Sequence, residues 1–187
     1  MNDLNEKNES IIKLALDCGA NNAAGLSVDQ VILDEMFADI CKSNTCGNYG
    51  KCYMCPPDAG DIHEMMETLR TYQLAAMYQT IHSLEDSFDY EGMMEASSRH
   101  VQVSQCLEDK LRELKPGPYL HLSVGGCNVC EVCAKRENLP CPYPDRAMPS
   151  LEVYGVDVYQ TAQNAGLKYV NGQNTVTYFG LVLIKEA

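Results

Sequence analysis

Tryptophan is absent from this chain, phenylalanine occurs only 3 times, and 14 Lys and Arg face 26 Asp and Glu, a formal net charge of -12. The missing tryptophan bears on no particular function. The shortage of positive charge does, because an acidic surface repels phosphate backbones and makes nucleic acid an unexpected partner. Acidity by itself is what solubility asks for. Also missing is any apolar run near the roughly 20 residues that a bilayer-spanning helix needs, so no membrane partner is expected. The opening "MNDLNEKNES" lacks the basic-then-apolar pattern of a secretory signal, and the expected location is cytoplasmic. No Gly-rich phosphate loop, dinucleotide fingerprint or nucleophile elbow is present. His63 is followed by Glu64 and Glu67, but no second histidine stands four residues on, so the zinc-protease helix is excluded.

What the chain does have is 10 cysteines, and the cytosol keeps thiols reduced. Eight of them fall into two tight groups, which scattered packing residues would not do. The second group, in "GGCNVCEVCAKRENLPCPYP", is Cys127, Cys130, Cys133 and Cys141, the last followed by Pro142. Three cysteines at two-residue gaps let one loop wrap successive corners of a cubane. Bacterial ferredoxins use such a run ahead of a Cys-Pro, whereas zinc sites more often show two separated pairs. The first group, in "CKSNTCGNYGKCYMCPP", is Cys41, Cys46, Cys52 and Cys55, again ending in Cys-Pro. Its gaps suit iron–sulfur or zinc. Gly47 and Gly50 allow the tight turns that aim backbone N–H groups at sulfur, and Asn48 and Tyr49 are placed to cover a cluster face. In two-cluster ferredoxins the Cys-Pro cysteine ligates the other cluster, so an exchange of Cys55 and Cys141 between loops is open.

The rest of the chain reads as α+β. Its elements form one domain over 1–187: a small mixed β-sheet with a β-α-β unit, flanking helices and two cysteine-rich metal-binding loops. Apolar spacing predicts a helix over 8–18 stopped by Gly19, with Cys18 on its packed side. Strand-like residues follow at 23–33, then a short helix capped by Asp34 that delivers Cys41. A helix is expected near 60–72 and a buried strand over 74–82. Over 88–115, Ala96, His100, Val103, Leu107, Leu111 and Leu114 recur as a helical apolar stripe, in which His100 and Cys106 read as packed residues. "YLHLSV" alternates like a strand and completes a parallel β-α-β crossover. Ser150 is the expected cap of a helix reaching Gly166, followed by a short strand, an Asn-Gly turn and a strong apolar strand. Glu152 and Asp157 stand five apart and make a poor acid–base pair on one helix.

"CGNYGKCYMCPP", "GGCNVCEVCA", "PCPYP" and "PSLEVYGVDV" together resemble the family of predicted cysteine-rich metal-binding proteins known as domain of unknown function 2284. The resemblance extends to the terminal "TYFGLVLI". It implies metal binding, most plausibly iron–sulfur, in anaerobic microbes, and implies no reaction. That family commonly carries Arg after Pro-Cys, where this chain has Pro142, although Arg136 and Arg146 lie nearby. Glu152 becomes the first non-cysteine candidate through its place beside the second loop.

The expected function is an iron–sulfur protein with two [4Fe-4S] clusters, one on Cys41, Cys46, Cys52 and Cys55 and one on Cys127, Cys130, Cys133 and Cys141. It would transfer electrons to a redox protein partner, a partner enzyme in an anaerobe. One alternative is a cluster-dependent reductive or sulfur-transfer enzyme with an open iron site and a small-molecule substrate. The other is a zinc-stabilised interaction module, with zinc in one or both sites.

Overall fold

The computed structural model of the chain describes residues 2–186. Its elements in order are α1 (Asn2–Asp17), β1 (Asn22–Ser27), α2 (Met36–Lys42), α3 (Ile62–Arg70), β2 (Leu74–Ser83), α4 (Tyr90–Leu114), β3 (Tyr119–Leu122), α5 (Val158–Asn164) and β4 (Thr175–Ile184). The chain is α+β, as its patterning predicts. The four strands stand in the order β1-β2-β4-β3, and every pairing is antiparallel. The crossover from β2 through α4 to β3 exists, and its two strands run the same way. However, β4 is inserted between them, so the unit is split and the sheet is not mixed.

Strand alternation explains why both faces are covered. On β2, Ala75 and Met77 face one side while Ala76 and Tyr78 face the other; on β4, Phe179, Leu181 and Leu183 oppose Val182 and Ile184. The Tyr78 side is roofed by α1 and α4 through Ile11, Ala15, Leu107 and Leu111. The Met77 side is closed by Leu69 of α3, Ala162 of α5 and loop residues such as Val31, Leu151 and Val156. A sheet buried on both faces reads as continuous apolar runs, which is what "LAAMYQTI" and "YFGLVLI" are.

Several helix boundaries follow their caps. Asp61 accepts the His63 N–H at 2.9 Å and Asp89 accepts that of Gly92 at 2.8 Å. Asp34 accepts from Met36 at 2.8 Å, at the expected start of α2. Two expectations need correction. The stretch from Ser150 is not one helix: Glu152–Tyr154 forms a single 3-10 turn, Gly155 takes a left-handed φ of 70°, and Asp157, not Ser150, caps α5 through Gln160. Residues 167–170 form no strand, and β1 ends at Ser27, where a 3-10 turn begins.

Cys18 and Cys106 do pack between α1 and α4, but as a disulfide with Cα atoms 5.8 Å apart, not as free thiols. His100 is fully buried, its Nδ1 2.9 Å from the Thr80 hydroxyl. Beside it a polar chain crosses the core: Tyr78 bonds Ser104 at 2.7 Å and His121 at 2.8 Å, and His121 Nδ1 meets Glu108 at 3.0 Å. Ser104 continues the chain to Ser123 at 2.8 Å, just past the end of β3. Among the described residues, no helix is long and apolar enough to cross a membrane.

Candidate metal centre

Both cysteine loops leave the same region of the molecule. The first follows α2, which carries Cys41 as its penultimate residue, and runs through turns at Asn44, Gly47 and Gly50, all at positive φ. Gly50 N–H reaches the Pro56 carbonyl at 2.9 Å and Cys55 N–H that of Cys52 at 3.0 Å, folding the CxxC into one turn. The second loop follows β3. It is anchored where Ser123 and Pro149 bond at 3.0 Å and Leu151 N–H reaches the Ser123 carbonyl at 3.1 Å.

The loops are fastened to each other. The Tyr53 hydroxyl donates to the Leu139 carbonyl at 2.9 Å, Lys135 pairs with Asp58, and Arg136 donates to the Asn48 side chain at 3.1 Å. A side chain at Gly126 would come 2.8 Å from the Asn48 amide, so the two loops touch through a glycine. Arg136 thus supplies the basic group beside the second loop. Arg146 instead pairs with Asp109 at 2.9 Å.

The eight thiols divide unevenly. Cys41, Cys46 and Cys55 line one cavity of 150 Å³ together with Tyr49, Gly125 and Glu152. Cys52, Cys127, Cys130 and Cys133 line a separate concavity of 310 Å³, and Cys141 joins them on its other side. The Cys52 sulfur accepts the backbone N–H of Met54 and Cys127 and bonds the thiols of Cys55 and Cys133. Cys55 therefore stays with its own loop and Cys141 with its own. It is Cys52 that crosses. Three positions apart on one turn, Cys52 and Cys55 face different cavities.

Cys52 and Cys55 are the buried pair, and Cys46 is exposed. The shared bond from Cys55 is the main reason the Cys52 thiol is shifted down, although burial opposes it. Cys55 shifts up, through that same bond, burial and its thiol neighbours. Cys41 is pushed up by burial first and then by the Glu152 carboxylate and Cys46. Cys127 is likewise raised, chiefly by burial. Each of these thiols would have to lose its proton to a metal, and several soft thiolates in one place are a donor set for iron–sulfur or zinc.

The residues lining the thiol cavities include no histidine; His63 lines the neighbouring groove, 3.7 Å from Glu35. Among the described residues, no three His, Cys, Asp or Glu side chains are gathered as a single metal ion requires. A cluster spreads its ligands over separate irons and needs no such convergence.

Glu152 sits on the 3-10 turn against Cys41, whereas Asp157 is occupied capping α5, with Gln160 Nε2 2.6 Å away. The two carboxylates therefore share no site. Tyr49 faces the first cavity and Asn48 the second. Sequence spacing does not single out Tyr53, Asp58 or Lys135. Their only signal is a run of polar residues within the cysteine loops.

Neither the curated proteins nor the solved structures contain a match to the chain. The family model described as "Predicted metal-binding protein (DUF2284)" matches residues 24–184, which include both cysteine loops and all strands but the first two residues of β1, and the chain belongs to that family.

Proposed function

We propose that this metal-binding protein holds two [4Fe-4S] clusters in adjoining sites and passes electrons between a reductant and a partner protein. The observation that carries this reading is the meeting of the two cysteine loops at one turn, where Cys52 lines the concavity of Cys127, Cys130 and Cys133 while Cys55 lines the cavity of Cys41 and Cys46. Clusters held by sulfurs so placed are neighbours, as electron passage between them requires. The net charge of -12 favours a partner with a basic docking patch, because complementary charge speeds encounter. The resident groups supply one-electron chemistry. The chain supplies burial and backbone N–H groups at sulfur, which tune the potential.

The test is iron, acid-labile sulfide and zinc per chain after anaerobic purification, followed by reduction with dithionite under EPR. About eight irons with eight sulfides and reversible reduction are expected of two [4Fe-4S] clusters. Zinc without sulfide would discard the redox reading and leave a structural module.

A further inference from the structure

We propose that the first site has only three cysteine ligands, Cys41, Cys46 and Cys55, with Glu152 as an exchangeable fourth donor that a neutral or cationic small molecule displaces from the adjoining groove. The inference rests on the iron–sulfur reading above and goes further, to an open coordination position and the kind of ligand it takes.

Three observations carry it. First, Cys52 is committed elsewhere. It lines both faces of the second concavity and neither cavity that Cys41 lines. That leaves five thiols around the second site, one more than a [4Fe-4S] cubane has irons, and three around the first.

Second, Glu152 is the one carboxylate among the residues lining the first site, and the fold holds it there. Its turn is pinned between Ser123 and the segment before α2: Asp34 N–H reaches the Gly155 carbonyl at 2.7 Å and Asp157 N–H that of Ile32 at 2.8 Å. Gly155 must be glycine, because its φ is 70° and a Cβ would stand 3.1 Å from Met66 and 3.2 Å from the Asp34 carbonyl. The same segment leads straight into α2 and Cys41. Glu152 and Cys41 are thereby fixed relative to each other as lining residues of one cavity.

Third, Glu152 and Cys41 also form one wall of a groove of 720 Å³ running along α2 to the first turn of α3. A volume of that size suits a small molecule. Its carboxylates are Asp34, Glu35, Asp39, Asp61 and Glu152, with Lys42 the one fixed cation among its lining residues. An anion is therefore disfavoured and a neutral or cationic donor is favoured. The exchange breaks one carboxylate–metal bond and forms one from the lone pair of the incoming atom. No electron is transferred.

The test uses the full chain, loaded anaerobically, with imidazole as the neutral probe and EPR of the reduced protein as the readout. Imidazole should shift one of two cluster signals in the unaltered chain. Glu152→Cys should keep the iron content and abolish the shift, because a fourth thiolate closes the position. Cys52→Ser should alter the signal that Cys130→Ser removes and spare the one that Cys46→Ser removes. An imidazole titration that moves neither signal overturns the proposal. So does a Cys52→Ser chain that alters the Cys46-dependent signal or leaves both unchanged. If Cys52→Ser fails to fold, as circular dichroism would report, the imidazole and Glu152→Cys results decide alone. Absence of iron and sulfide from the unaltered chain is a different failure, that of the iron–sulfur reading itself.

Discussion

The Tyr78 hydroxyl lies 2.8 Å from Nε2 of His121 although β4 runs between the strands that carry them. The ring can cross because Gly180 is the residue paired with Tyr78 in the register, and a Cβ there would overlap the ring itself. Gly180→Ala should therefore force the ring aside and cost about 1–3 kcal/mol, the usual range for overpacking a core. Urea denaturation of the variant measures it, and an unchanged midpoint would show that the ring has room to move.

Tyr78→Phe keeps the ring and removes the hydroxyl that joins Ser104 to His121. Two buried polar groups then lose a partner, for an expected loss of about 1–3 kcal/mol. The check is again the urea midpoint. The double variant Gly180→Ala/Tyr78→Phe should not be additive, since both changes act on one side chain.

Stability should fall early on acidification. Burial, with the charge of His121 and His82 nearby, lowers His100 from 6.5 to about 3. The unfolded chain thus binds a proton that the folded chain refuses, so the stabilisation is complete above the unfolded value and drains away as pH falls toward the folded one. The slope from one such group is about 1.4 kcal/mol per pH unit. His82, also lowered by burial and by Arg99, adds to the same limb. His100→Leu should shorten this limb without removing it. Glu108 acts lower. Burial raises it, yet hydrogen bonds from His121, Tyr119 and Arg112 leave it below 4.5, so its contribution is lost only beneath that value. Denaturation curves between pH 7 and pH 4, with and without the substitution, separate the two.

The Cys18–Cys106 bridge closes a loop spanning a sequence separation of 88. Constraining so long a loop in the unfolded chain is worth about 2–4 kcal/mol, so Cys18→Ser should lower the thermal midpoint in the absence of reductant. Reductant should lower the midpoint of the unaltered chain and leave that of the variant where it is. A midpoint indifferent to both would mean that the pair contributes by packing alone.

Much of this molecule was readable in advance, and the readable part is local. The stripe from Ala96 to Leu111 forecasts α4, a buried apolar run forecasts β2, alternation forecasts β3, and the close spacing of the cysteines marks both loops. What escaped depends on contacts distant in sequence. Nothing in "YFGLVLI" says that it enters between two strands linked by their own crossover helix. Ser150 resembles a cap, but Gly155 and the Leu33–Val156 bridge break the helix it would have started. Cys18 lies just past the end of α1 and Cys106 on α4, and only the packing of α1 on α4 unites them. The partition of Cys52 from Cys55 was hidden for a similar reason, because spacing tells which thiols share a loop but not which way a turn faces.

The position of β4 has a consequence for how the protein is made. This strand pairs with both β2 and β3, yet it is translated after both cysteine loops. While the chain is still emerging, residues 41–57 run from the end of α2 toward α3, and residues 125–144 follow β3, before the strand that joins β2 to β3 has been made. The Tyr53–Leu139 and Lys135–Asp58 ties then have no platform to hold them in register. Metal loading in register thus belongs after translation of β4, and a chain interrupted before Thr175 should expose eight ungrouped thiols to whatever metal arrives first.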